Sequence, residues 1–197
     1  MKFLRPFAVA GALVLTAAAG AAQGNATDQW SIGATYGLTN DVEGRFRLDA
    51  FTPRDITAWV DYQLDRRTLL RASYVDITTK VDRPYQNPST PPPTPLPVRP
   101  IGIHGVTLGV SYQASEGFFT SGIFGGIGGY HISPDPAPDL APYQDVKETV
   151  FGFHAGVDGD FRINRHVSAV VRLTFHGILS QTKRWLLSSS VGFAAHL

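Results

Sequence analysis

The stretch Val150 to Gly177, VFGFHAGVDGDFRINRHVSAVVRLTFHG, constrains this chain more than any other. Taken every second residue, it separates into two faces. Phe151, Phe153, Ala155, Val157 and Phe161 lie on one, continued after a polar break by Val167, Ala169, Val171, Leu173 and Phe175. Gly152, His154, Gly156, Asp158 and Asp160 lie on the other, followed by Ser168, Arg172, Thr174 and His176, with Val170 as the apolar intruder. A period of two is the mark of a β-strand, whose side chains leave the sheet alternately to either face. Two such runs joined by Arg162-Ile163-Asn164-Arg165-His166 predict a hairpin. Each strand is about 11 residues long, against ~5–6 in a soluble sheet, and that length crosses a bilayer at a tilt. Charges set beside glycines on the polar face suit a narrow polar interior. The hairpin predicts part of a transmembrane β-barrel.

The rest of the chain repeats the pattern. Trp30 to Leu38 alternates Trp30, Ile32, Ala34, Tyr36 and Leu38 with Ser31, Gly33, Thr35 and Gly37. Ile56 to Leu64 alternates Ala58, Val60, Tyr62 and Leu64 with Thr57, Asp61 and Gln63, and Trp59 falls on the polar side. The turn Asp65-Arg66-Arg67 leads into Thr68 to Thr78, so that Leu70, Ala72 and Tyr74 face Tyr62, Val60 and Ala58. That register sets Asp61 opposite Arg71, an inward pair of opposite charge where an unpaired charge would be costly. Ile103 to Tyr112 forms the fourth strand. Phe118 to Ile132 forms the fifth, where Gly122, Gly125, Gly126, Gly128 and Gly129 blur the faces; register with strand four puts Phe119, Ser121, Ile123 and Ile127 outward. After the hairpin, Gln181-Thr182-Lys183-Arg184 turns into a last strand with Trp185, Leu187, Val191, Phe193, Ala195 and Leu197 on one face.

The expected fold is all-β, an eight-stranded antiparallel up-and-down transmembrane β-barrel. Links 2–3, 4–5 and 6–7 are short, links 1–2, 3–4 and 5–6 are long, and link 7–8 is a short exception. Outer-membrane barrels have short periplasmic turns and longer external loops, which puts both ends of the barrel segment on the periplasmic side. Threading the strands on that basis gathers Trp30, Tyr62, Tyr112, Phe119, Phe161 and Phe193 near the periplasmic end. Tyr36, Tyr74, Phe151, Phe175 and Trp185 gather near the other, giving the two aromatic girdles of a membrane barrel.

Lys2 and Arg5 precede the apolar run Phe7 to Ala19 and then small residues, the layout of a signal peptide cleaved after Ala21 or Ala22. The expected division is therefore 1–22 signal peptide and 23–197 barrel domain. No later segment approaches the ~20 apolar residues of a membrane-spanning helix. With no Cys, disulfides, thiolate metal sites, a cysteine nucleophile and a lipid-modified mature N-terminus are excluded. Seventeen basic against sixteen acidic residues leave a formal charge of +1, so no nucleic-acid footprint is visible.

In its leader, its glycine-rich GIFGGIGGYH (122–131), the FGFHAGVDGDFRINRHVSAVVRLTFHG hairpin and the final VGFAAHL, the chain resembles the small eight-stranded outer-membrane β-barrel family of the opacity-protein and attachment-invasion type. The resemblance covers nearly all of the mature chain. It implies a location in the bacterial outer membrane, contact with outer-membrane lipid, and assembly of a monomer by the barrel-assembly machinery. VGFAAHL resembles the terminal signal read by that machinery, although it ends in Leu197 where an aromatic is commoner. Family members range over adhesion, immune evasion, envelope stabilisation and lipid modification, so the resemblance leaves the activity open.

An eight-stranded barrel has room inside for side chains only, which predicts a packed polar network and no channel. The expected pairs are Asp61 with Arg71, and Asp158 with Arg172 diagonally across the hairpin, with Gly156 opposite Arg172 making space for its guanidinium. His154 and His176 are expected on the inward face near the external end, as satisfied lumen histidines more than as metal ligands. No catalytic, cofactor-binding or metal-binding residue is assigned and no cofactor is expected. The function expected is structural or surface-interacting and not enzymatic, carried by external loops: the proline-rich Asp82 to Pro100 and the acidic Ser133 to Lys147. Two alternatives remain. A lipid A deacylase of this fold class uses His-x-Ser on one strand with an acidic partner; His131-Ile132-Ser133 has that spacing but runs into Pro134 and lacks an obvious acid. A secreted lipocalin-like barrel would hold a small apolar ligand, with the opposite polarity of wall and interior.

Overall fold

The computed structural model describes residues 29–42, 54–81, 99–115, 117–134, 147–180 and 184–197. The leader, residues 43–53, most of the proline-rich segment and residues 135–146 of the acidic segment lie outside the described residues. Eight strands follow one another: β1 (Trp30–Asp41), β2 (Arg54–Gln63), β3 (Thr68–Val81), β4 (Arg99–Gln113), β5 (Phe119–Pro134), β6 (Glu148–Arg162), β7 (Val167–Ile178) and β8 (Arg184–His196). Each pairs antiparallel with its chain neighbours, and β8 returns to β1 to close the barrel. Closure satisfies every strand edge, a requirement in hydrocarbon, where an unpaired backbone group costs several kcal/mol.

Links 64–67, 114–118 and 163–166 gather at one end together with Gln29 and Leu197. This is the periplasmic end. Two of the three links use one device. Asp65 Oδ1 accepts the N–H groups of Arg67 and Thr68, both at 2.8 Å. Asn164 Oδ1 accepts those of His166 and Val167 at 2.8 and 2.9 Å. A short polar side chain bonding the backbone two or three residues on is how Asp and Asn set tight turns. The third link places Gly117 at φ +131°, which glycine alone adopts without strain.

The β2–β3 register is the expected one, with Tyr62 opposite Leu70, Val60 opposite Ala72, Ala58 opposite Tyr74 and Asp61 opposite Arg71. In the β6–β7 hairpin the register differs. Asp158 lies directly opposite Arg172, and Gly156 opposite Thr174. The expectation centred the turn on Asn164. The Asn164 side chain instead caps the following N–H groups, and Val167 O accepts from Ile163 and Asn164, which moves the turn centre one residue on. Strands β3 to β6 also run further at the long-loop end than their apolar alternation predicted, as far as Val81 paired with Arg99. Backbone pairing needs no apolar alternation once the wall has left the membrane, so this side of the barrel stands taller.

The outward face is apolar. Val106, Leu108, Val191 and Phe193 are each more than 60% exposed, and Phe119, Ile123 and Ile127 of β5 point outward as expected. Apolar surface of this extent is met by acyl chains, not water. Aromatic pairs flank it: Trp30–Tyr62 and Phe119–Phe161 at the periplasmic end, both 4.7 Å between centroids, and stacked Phe175–Trp185 at 5.7 Å towards the other. This polarity overturns the lipocalin-like alternative, which needs an apolar interior around a ligand and a polar exterior.

Candidate functional site

Inward side chains form four layers from the periplasmic mouth to the external end. The first is an open cavity of about 560 Å³, lined among others by Gln63, Ser111, Thr120, Asp160, Arg162 and His196. Here the interior is not filled as the sequence predicted, because the inward residues near the mouth include short ones such as Ser31, Ser111, Val170 and Ala194. His196 Nε2 lies 2.6 Å from Ser168 Oγ and 4.0 Å from Asp160 Oδ2. Both neighbours share one ring nitrogen, so this trio does not have the Ser–His–Asp relay in which the acid orients the far nitrogen.

The second layer closes the floor of that cavity with four charges. Arg71 donates from Nε and Nη2 to the two carboxylate oxygens of Asp61 at 2.7 and 2.8 Å, and from Nη1 to Asp158 Oδ2 at 2.8 Å. The Asp61–Arg71 pair is as expected, but the close partner of Asp158 is Arg71 and not Arg172. Arg71 reaches across the lumen from β3, and its planar fork serves both carboxylates. Arg172 Nη2 stands 3.6 Å from Asp158, and its guanidinium lies over the Trp59 ring at 3.8 Å and near Phe124 at 4.9 Å. Cation–π contact of a desolvated guanidinium contributes about 2 kcal/mol. Gly156 makes room for the Leu173 carbonyl of the neighbouring strand and for the Phe124 ring, which a methyl there would approach at 2.6 Å, and not for Arg172 as expected. Gly33 does the same for Trp59.

His154 and His176 form the third layer, facing each other across the hairpin with centroids 6.2 Å apart. Tyr130 Oη lies 3.4 Å from His176 Nδ1, and Asp55 Oδ2 lies 4.0 Å from its Nε2. Thr57 donates to Asp55 at 2.8 Å. Among the described residues no three His, Asp or Glu side chains gather to hold a metal ion.

The fourth layer was not foreseen. Val75, Ile77, Ile101, Ile103, Ile132 and Leu186 are inward and at most 2% exposed, and they form an apolar plug with Ile178 and the Tyr130 ring. A methyl on Gly105 or on Gly152 would stand 2.7 Å from that ring, so glycines on the two flanking strands seat it. The signal was available: Val75, Ile77, Ile101 and Ile103 sit on the same parity as Arg71, Ser73, Thr107 and Ser111.

On the outer wall, His131 and Ser133 share the outward face of β5 and both lie within the strand. His131 Nδ1 lies 2.9 Å from Thr149 Oγ1, so a hydroxyl occupies the place where a deacylase-like site would hold its acid. The cross-strand neighbour of His131 is His104 of β4, which the sequence reading did not single out. Its signal was the loss of apolar character one outward position beyond Val106.

No family model matches the sequence, and no curated protein matches it. Solved structures do match. Neisserial surface protein A aligns over 85% of this chain and 96% of its own, at 10% identity and a TM-score of 0.58. A major outer membrane protein of Thermus thermophilus aligns over 85% and 98%, at 11% identity and a TM-score of 0.57. OprG of Pseudomonas aeruginosa aligns over 85% and 96%, at 11% identity and a TM-score of 0.53. A closed antiparallel wall, an outward apolar band between aromatic ends and these likenesses agree: the chain has the eight-stranded outer-membrane β-barrel fold.

Proposed function

We propose that the protein is a monomeric, non-catalytic barrel of the outer membrane whose role is envelope-structural or surface-interacting, exercised through its external links. The observation that carries this reading is the asymmetry of the two ends. The external end of the lumen is filled by an apolar plug, while the long intervals 43–53, 82–98 and 135–146 all leave from that end. A sealed barrel with long external links is suited to presenting them. Proline reduces the conformational entropy a chain loses on binding, and the sequence of 82–98 is rich in it. Export by the leader 1–22 and assembly guided by β8, with Val191, Phe193 and Ala195 alternating outward, complete the proposal.

Carbonate or urea washing is expected to leave the protein in the membrane pellet, and boiling to change its gel mobility. Release into the soluble fraction would refute the location. Shortening 82–98 and 135–146 to tight turns tests the role. Retained assembly with lost binding to cells or matrix supports it; an altered lipid A acylation pattern in His131→Ala or Ser133→Ala would replace it with an enzymatic one.

A further inference from the structure

On the taller side of the wall the outward residues fall into cross-strand rows. Tyr74, Val106, Gly129 and Phe151 form one row, and apolar rows continue from it towards the periplasmic end. The next row towards the external end is Asp76, His104, His131 and Thr149. Polarity changes completely within one step of the strands. The row stands at the upper edge of the apolar band, level with lipid headgroups. A random polar fringe would need no internal order, but this one has it. His104 Nδ1 is 3.6 Å from Asp76 Oδ1 and 3.5 Å from Tyr74 Oη, while His131 Nδ1 is 2.9 Å from Thr149 Oγ1. Both rings are thus held through Nδ1, and among the described residues neither Nε2 has a hydrogen-bond partner. Beneath them Gly129 leaves open space, and only His104 Nε2 and Ser133 O lie within 4 Å of the position a Gly102 methyl would take.

We propose that this row is a headgroup site for a lipid bearing a phosphate monoester, with the imidazole Nε2–H groups of His104 and His131 donating to phosphate oxygens and the acyl chains lying over Gly129 and Val106. Polar groups face the histidines from both sides. Asp76 and Tyr74 come from β3 on one side, and Thr149 and the exposed Lys147 from the start of β6 on the other. Glu148 pairs with inward Ile132 and belongs to the other face. Tyr74 Oη lies 3.5 Å from His104 Nδ1 and Thr149 Oγ1 2.9 Å from His131 Nδ1, so with each hydroxyl donating to Nδ1 both rings present Nε2–H. A phosphate monoester accepts from both in charge-assisted hydrogen bonds.

Native mass spectrometry of the detergent-folded barrel, titrated with phosphatidic acid, phosphatidylcholine or inorganic phosphate, tests this. Phosphatidic acid is expected to bind at least about tenfold more tightly than phosphatidylcholine, equivalent to about 1.4 kcal/mol. In His104→Gln/His131→Gln that preference should be lost, with heat-modifiable mobility as the check on folding. Thr149→Val, which leaves both imidazoles, should weaken it only partly. Equal binding of the two lipids, or a preference unchanged in the double variant, would overturn the site. Displacement of phosphatidic acid by equimolar inorganic phosphate would overturn the lipid as its occupant.

Discussion

At the scale of single residues, the unequal sharing of Asp158 decides which arginine matters more. Arg71 bonds both Asp61 and Asp158, whereas Arg172 is held chiefly by Trp59 and Phe124. Arg71→Leu takes the close partner from buried Asp61 and from part-buried Asp158, and breaking a buried pair costs about 3–5 kcal/mol. Arg172→Leu leaves Asp158 its close partner and replaces a stacked guanidinium by an apolar side chain, so it should cost less, on the order of 1–2 kcal/mol. Urea unfolding of the barrel in detergent measures both, and an Arg172 variant as damaged as the Arg71 variant would show that Asp158 depends on Arg172 after all. The turn residue Asp65 makes a second case. The N–H of Arg67 first, and then Thr68, hold its carboxyl below the usual value of 3.8. A carboxyl depressed in the folded state adds stability above its unfolded titration and loses it as pH falls through the folded value. Asp65→Ala should therefore unfold at lower urea than wild type at pH 7, with the gap closing below about pH 4. Asp65→Asn keeps the acceptor that Asn164 supplies in the other turn. It should stay close to wild type at pH 7 without that acid dependence, and an Asn variant as weak as the Ala variant would argue against the turn device.

Among the strands, what could be read in the sequence and what could not divide along physical lines. All eight strands were legible because one face meets lipid and the other a narrow interior, and that contrast writes itself into every second residue. The Asp61–Arg71 register was legible because a short turn fixes it. The β6–β7 register was misjudged by two residues because it depends on which residues the Asn164 side chain caps, a choice that alternation does not encode. The plug and the seat of Tyr130 were missed for a different reason: an apolar inward residue looks like a lapse in a pattern until its neighbours on three other strands are known. Glycine parity carried part of that message. Gly105 and Gly152 flank the Tyr130 ring, and a methyl on either would be 2.7 Å from it. Gly105→Ala, whose methyl would meet only the Tyr130 ring, should therefore cost about 1–3 kcal/mol by overpacking. Added to Tyr130→Leu, the same change should cost clearly less, because the ring it strikes is gone. Coupled sites depart from additivity by about 0.5–3 kcal/mol, so simple additivity of the two would mean that the alanine is absorbed elsewhere.

For the whole molecule, the interior runs from an open, charged mouth to a dry apolar plug, with the four-charge layer and the histidine pair between. The open mouth accommodates Asp160, Arg162 and His196 beside solvent, whereas the Arg71 carboxylates lie deeper and are answered by hydrogen bonds. Among the described residues the seal at the external end is made by β3, β4, β5, β7 and β8. Conductance therefore distinguishes a wall that seals itself from one closed by loops. In planar bilayers the intact protein should show no large steady current, and neither should a protein whose long external links have been shortened. Replacing plug residues by Ile77→Ser, Ile103→Ser and Leu186→Ser should destabilise the barrel by several kcal/mol, since each loses buried apolar contact. The same triple change should let water and small ions enter from the external side, seen as brief low-amplitude openings. Porin-sized steps from the intact protein would be incompatible with eight strands filled by side chains. Steady current appearing on loop shortening alone would place the seal in the links instead of the wall, and would remove the asymmetry on which the proposed function rests.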